Sequence, residues 1–151
     1  MTAAEKFRLL LSSDSRYDAE AYNFIYEALD WTLKSVVKTS GHSSQHVSGQ
    51  ELLEGVRQYA IDQFGCLANT VFRTWGVSCT ADFGEIVFNL VEHDLMGKQD
   101  SDSKADFRDV YEFTEVFDLR PVFSYTPDED EWDAAYVPRS SYQATVTGKE
   151  R

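Results

Sequence analysis

The segment TADFGEIVFNLVEHDLMG, residues 80–97, carries apolar side chains most of the way round a helix. At 100° per residue, Asp82, Glu85, Asn89 and Glu92 fall on one narrow polar strip. Phe83, Ile86, Val87, Phe88, Leu90, Val91 and Leu95 cover most of the remaining circumference. A surface helix shows a single apolar stripe. An arc this wide predicts a helix covered on several sides, at the centre of the fold. Thr80 is the expected N-cap, Asp82 suits the positive end of the helix, and Gly97 is the expected stop.

The flanking segments supply its cover. Residues 2–11 predict a short helix with Phe7, Leu10 and Leu11 on one face, broken by the Ser12-Ser13-Asp14-Ser15 cluster. Residues 18–37 predict a longer amphipathic helix: Tyr22, Ile25, Leu29, Leu33 and Val36 form one face, and Glu20, Asn23, Glu27, Asp30 and Lys34 the opposite one. A Ser/Gly-rich loop follows over 39–49. Ser48 and Glu51 then form a capping-box pattern ahead of Leu52, Leu53, Val56, Ala60 and Phe64, with Gly65 placed to end that helix. A shorter helix over 66–75 closes at Gly76.

Beyond Gly97 the pattern weakens. Residues 107–117 suit a short helix, with a short hairpin as the alternative, because Tyr111, Phe113 and Phe117 also fit alternation. All three prolines, Pro121, Pro127 and Pro138, lie further on, around the acidic run Asp128-Glu129-Asp130-Glu131-Trp132-Asp133. The sequence therefore predicts a mainly α protein: one compact helical domain of about five helices over 1–119, then an extended or disordered acidic tail over 120–151.

Composition narrows the function. The 151 residues hold 26 acidic and 14 basic side chains, a formal charge of −12. Residues 1–100 and 101–151 each carry −6, so the last third of the chain holds half the excess. No Lys/Arg cluster is available to neutralise phosphates. The segments 50–64, 66–75 and 80–96 could be arranged as a helix-turn-helix, but the strip such a motif would offer to a DNA groove is acidic. Nucleic acid is therefore not an expected partner. No apolar run approaches a membrane span, and no membrane partner is expected.

Motifs for catalysis are missing: there is no GxGxxG, Walker A, G-x-S-x-G or HExxH pattern. The Asp82-Phe83-Gly84 triplet lacks the accompanying kinase motifs. His42 and His46 share a loop, with Cys66 and Cys79 downstream, but the spacing lacks the short chelating loops of a zinc site. No metal or cofactor is expected, and the cysteines are expected as buried free thiols. His93 adjoins Asp94 near the end of the central helix, where Asp94 projects onto the apolar arc. A desolvated carboxylate there would have a raised pKa and acid–base capacity, but the simpler reading, and the expected one, is that the last turn frays or bends and Asp94 meets water or a backbone amide. Tyr17, Tyr22, Tyr26, Trp31, Tyr59, Phe72 and Trp75 are expected mostly in the core.

Several short stretches carry a resemblance: Glu20-Ala21-Tyr22, Glu27-Ala28-Leu29, Gly49-Gln50-Glu51-Leu52-Leu53-Glu54-Gly55, Trp75-Gly76-Val77, Thr80 to Phe88, and Asp106-Phe107 with Val110-Tyr111. Over residues 17–117 the chain resembles a small uncharacterised bacterial protein family described as restricted to Verrucomicrobia and Planctomycetes. The resemblance implies a bacterial cytoplasmic setting and no particular activity. The expected function is a non-enzymatic protein-interaction module whose partner is a protein, engaged through Phe123, Tyr125 and Trp132; docking of the same residues on the helical body is the other reading of the tail. The alternative is an enzyme or small-ligand-binding protein with a pocket near Asp94 and His93. Oligomeric state is left open.

Overall fold

The computed structural model describes residues 1–37 and 46–139. Helices α1 (Ala3–Ser13), α2 (Ala19–Thr32), α3 (Gly49–Phe64), α4 (Ala68–Thr74) and α5 (Thr80–Glu92) build the body. A one-turn helix α6 (Phe113–Val116) leads into an antiparallel hairpin of β1 (Leu119–Thr126) and β2 (Glu131–Pro138). The order agrees with a mainly α architecture, and the helix starts follow local chemistry. Thr2 caps α1 by accepting from the Glu5 amide, and Asp18 caps α2 through the Glu20 amide. Both bonds of the Ser48/Glu51 capping box form.

The centre of the core is aromatic. Phe72, fully buried, has the rings of Phe24, Phe83, Phe113 and Phe117 at centroid distances of 5.4, 5.2, 5.6 and 5.3 Å. Such pairs, edge-on or tilted, add to the area term. Ile25, Leu53, Val56, Ile86 and Leu90 surround the rings. Phe107 locks the middle of α5 to the start of α3: its ring lies where a Cβ on Gly84 or on Gly49 would be.

Helix α5 is the covered helix that its apolar arc predicts, with three corrections at its ends and on its polar strip. Cys79, not Thr80, is the N-cap; the Asp82 carboxylate reaches back to the Cys79 and Ser78 amides at 3.3 and 2.9 Å. Thr80 is buried, and its hydroxyl accepts from the Val110 amide. The helix stops at Glu92 rather than running to Gly97. Asp94 takes a left-handed conformation (φ 58°), while the Asp94 and Leu95 amides bond to the Val91 and Leu90 carbonyls. That is a Schellman closure with aspartate in the place glycine usually fills. The polar strip also faces protein. Asp14 and Arg16, between α1 and α2, engage Asn89 and Glu85, and Tyr17 engages Asp82.

Residues 107–117 form neither a continuous helix nor a hairpin. A 3-10 turn at Lys104–Phe107 gives way to a turn and bend over 108–110, with Asp109 at φ 50°, and α6 is a single turn. Phe107, Phe113 and Phe117 are each buried as separate anchors, and the Tyr111 hydroxyl donates to the Leu53 carbonyl. The hairpin lies instead in the segment expected as a tail. Its strands are in register from Leu119 opposite Pro138 to Thr126 opposite Glu131. Residues 140–151 lie outside the described residues. The cysteines are not buried: Cys66, in the turn before α4, and Cys79 are both exposed free thiols.

Candidate functional site

Directly opposed residues of an antiparallel pair share one face, and successive residues alternate. The register therefore places Leu119, Pro121, Phe123 and Tyr125 of β1 beside Pro138, Tyr136, Ala134 and Trp132 of β2 on a single face. That face carries the hairpin's aromatic side chains. The other holds Arg120, Val122, Ser124, Thr126, Glu131, Asp133, Ala135 and Val137.

The two ends of the aromatic face differ. At the base, Leu119 is buried, and the Tyr136 ring lies on Gly65, where a Cβ would come within 2.6 Å of it. Gly65 also has φ 54°, so both the contact and the turn after α3 require glycine. Arg139 clasps the base: its amide donates to the Asp118 carbonyl at 2.7 Å and its guanidinium pairs with the Asp118 carboxylate at 3.1 Å. Further out, Phe123 is 67%, Tyr125 43% and Trp132 72% exposed. The structure thus brings the three sequence-predicted residues together on one side of the distal hairpin. Tyr125 and Trp132 are opposed, with ring centroids 5.1 Å apart. The Tyr125 hydroxyl donates to Asp130 at 2.6 Å, which holds the ring in place and raises the phenol's pKa.

Charge sets the character of this end. Between Pro121 and Pro138 there are five carboxylates, Asp128, Glu129, Asp130, Glu131 and Asp133, and no basic side chain. The turn Pro127–Asp130 carries three of them, and Asp130 takes φ 52°, a conformation that aspartate tolerates better than most residues.

Asp94 is the solvent-exposed helix-end residue that the sequence reading expects, not the desolvated carboxylate of the alternative. Asp94 is 89% exposed at its side chain and pairs with Lys6 at 2.7 Å. The Lys6 ammonium lowers its pKa, the opposite of a desolvated acid. The early end of α5 turns Asp94 away from the apolar arc. His93 Nδ1 lies 2.9 Å from the Asn89 carbonyl, back along its own helix.

A cavity of about 400 Å³ does exist close by, between α2, α3 and α5, and neither Asp94 nor His93 lines it. Leu29, Leu52, Val87, Phe88, Val91 and Met96 form its apolar walls. At its mouth His46 Nε2 lies 3.1 Å from Asp102 Oδ1, and Asp102 Oδ2 accepts from the Gln99 amide. The pairing of His46 with Asp102 was not readable from spacing, because 56 residues separate them. The surplus apolar arc of α5 was the available signal. His42 lies outside the described residues. Among the described residues, no group of three His, Cys, Asp or Glu side chains is placed to hold a metal ion, and no helix is long and apolar enough to cross a membrane.

No protein-family model, curated protein or solved structure matches the chain, so the geometry of the hairpin and the cavity is what bears on function.

Proposed function

We propose that this chain is a non-enzymatic protein-interaction module, acting in the cytoplasm, whose distal hairpin docks on a basic surface of a partner protein. The observation that carries this reading is the aromatic face of Phe123, Tyr125 and Trp132, left exposed on a hairpin whose residues between Pro121 and Pro138 hold five carboxylates and no basic side chain. Rigid aromatic side chains are typical interface anchors, and like-signed charges around them steer an oppositely charged partner. An arginine or lysine side chain laid on Trp132 would gain a cation–π contact as well as carboxylate pairing. The body of the protein serves as the platform, with Tyr136 on Gly65 and the Asp118–Arg139 clasp fixing the base of the hairpin.

Affinity capture from native lysate with the full chain, compared with a Phe123→Ser/Trp132→Ala variant, tests this. The expected result is a protein partner retained by the wild type at low salt, weakened by added salt, and lost from the variant at unchanged Tm. The same partner retained equally by both chains overturns the proposal, as does capture of nothing by the wild type.

A further inference from the structure

Helix α5 has more apolar surface than the core uses. Phe83, Ile86 and Leu90 are fully buried, whereas Val87, Phe88 and Val91, one step round the helix, are only half-buried and line the cavity of about 400 Å³. Leu29 from α2, Leu52 from α3 and Met96 from the segment after α5 complete an apolar chamber. Its size falls within the range of small-molecule sites, which are mostly apolar with a few polar groups at one end. The polar groups here gather at the mouth: His46, Asp102, Asp106 and Lys98. The Lys98 ammonium bonds to the Gln99 carbonyl, and the Asp106 carboxylate caps the Ser103 turn through one oxygen. Among the described lining residues two carboxylates, one of them against His46, stand with a single lysine, a balance that disfavours an anionic ligand, and carboxylate oxygens can only accept hydrogen bonds when ionised.

We infer that this chamber is a binding site for a compact apolar molecule ending in an amine, with the apolar part against Val87, Phe88 and Met96 and the ammonium at Asp102 and Asp106. The site is separate from the hairpin, and either can fail without the other.

The test is a fluorescence titration of the full chain with two probes that share a dansyl group: dansylcadaverine, which ends in an amine, and dansylglycine, which ends in a carboxylate. The expected result is saturable, blue-shifted emission with dansylcadaverine and a Kd at least about tenfold weaker for dansylglycine. Val87→Trp fills the chamber and weakens dansylcadaverine by at least about tenfold. Met96→Trp blocks it from outside any helix and serves if Val87→Trp does not fold. Asp106→Asn narrows the gap between the probes, and Trp132→Ala leaves both titrations unchanged. Absence of saturable binding, equal affinity for the two probes, or undiminished binding by a folded chamber-filling variant overturns the inference.

Discussion

Gly55 has no room for a side chain. A Cβ there would lie 1.7 Å from the Thr32 hydroxyl oxygen and 3.3 Å from the Thr32 Cα, so α2 and α3 touch almost backbone to backbone. Thr32 cannot swing away freely, because it is fully buried and its hydroxyl donates to the Ala28 carbonyl at 2.6 Å. Gly55→Ala would raise helix propensity on an exposed helix, yet here overpacking dominates, and a loss of about 2–4 kcal/mol is expected in urea unfolding. Thr32→Ala in that background should recover part of the loss, since the nearest clashing atom is gone, and the two changes should be clearly non-additive. Additive effects would show that the helices separate instead. At Asp94 the expectation is the reverse. Asparagine keeps the tolerance for φ 58° and removes only an exposed ion pair, so Asp94→Asn should leave Tm unchanged within error. A large drop in Tm would mean that the pair with Lys6 ties α1 to the end of α5.

At the scale of elements, the hairpin carries aromatics on the same face in two different roles. Tyr136, 42% exposed, rests one side of its ring on Gly65 and joins the hairpin to the α3–α4 corner, whereas Trp132 is 72% exposed and touches mainly Tyr125 across the strands. Tyr136→Ala should therefore cost about 1–3 kcal/mol, and Trp132→Ala under about 1 kcal/mol, the range of a cross-strand pair. Thermal melts of the two variants check this, and equal losses would contradict the division into anchored base and free tip. The same hairpin shows what could be read in advance. The alternation of Trp132, Ala134 and Tyr136 with Glu131, Asp133 and Ala135 is a strand signal, and Thr126-Pro127-Asp128 is a turn signal. Three prolines and five acids pull the composition toward disorder and hide it. In a two-stranded sheet both strands are edges, where proline is tolerated. The helices were legible because their periods are long and their caps local. Residues 107–117 were not, because their anchors Phe107, Phe113 and Phe117 fill separate places in a core assembled from distant helices. The cavity was half-legible: α5 advertised its excess apolar arc, but which neighbours would leave that arc uncovered depends on α2 and α3.

For the molecule as a whole, the −12 charge is arranged in two ways that respond differently to solution conditions. On the hairpin five carboxylates lie between Pro121 and Pro138 with no basic residue among them, so duplex DNA should not be shifted in a gel at physiological salt; a salt-sensitive micromolar shift would contradict this. Beneath α5 the carboxylates are held. The Arg16 guanidinium hydrogen-bonds Asp14 and Glu85 at 2.6 and 3.0 Å and lowers both pKa values; Lys104 adds to the effect on Glu85. Burial opposes ionisation of Asp82, but hydrogen bonds from Tyr17, Ser78 and Cys79 outweigh it and lower its pKa too. Each of these groups binds its proton more weakly folded than unfolded. Their stabilisation is therefore fully present above the unfolded carboxylate range and is lost progressively as pH falls below about 4 and on through the lower folded values. Tm should decline steeply there. In Asp14→Asn, which also disturbs the bond to Asn89, Tm at pH 7 should be lower and the acid decline shallower, because one depressed carboxylate no longer takes up a proton on unfolding. Parallel Tm–pH curves for the two chains would show that the Asp14–Arg16–Glu85 group does not contribute to the pH dependence, and that general charge repulsion alone sets the acid limit.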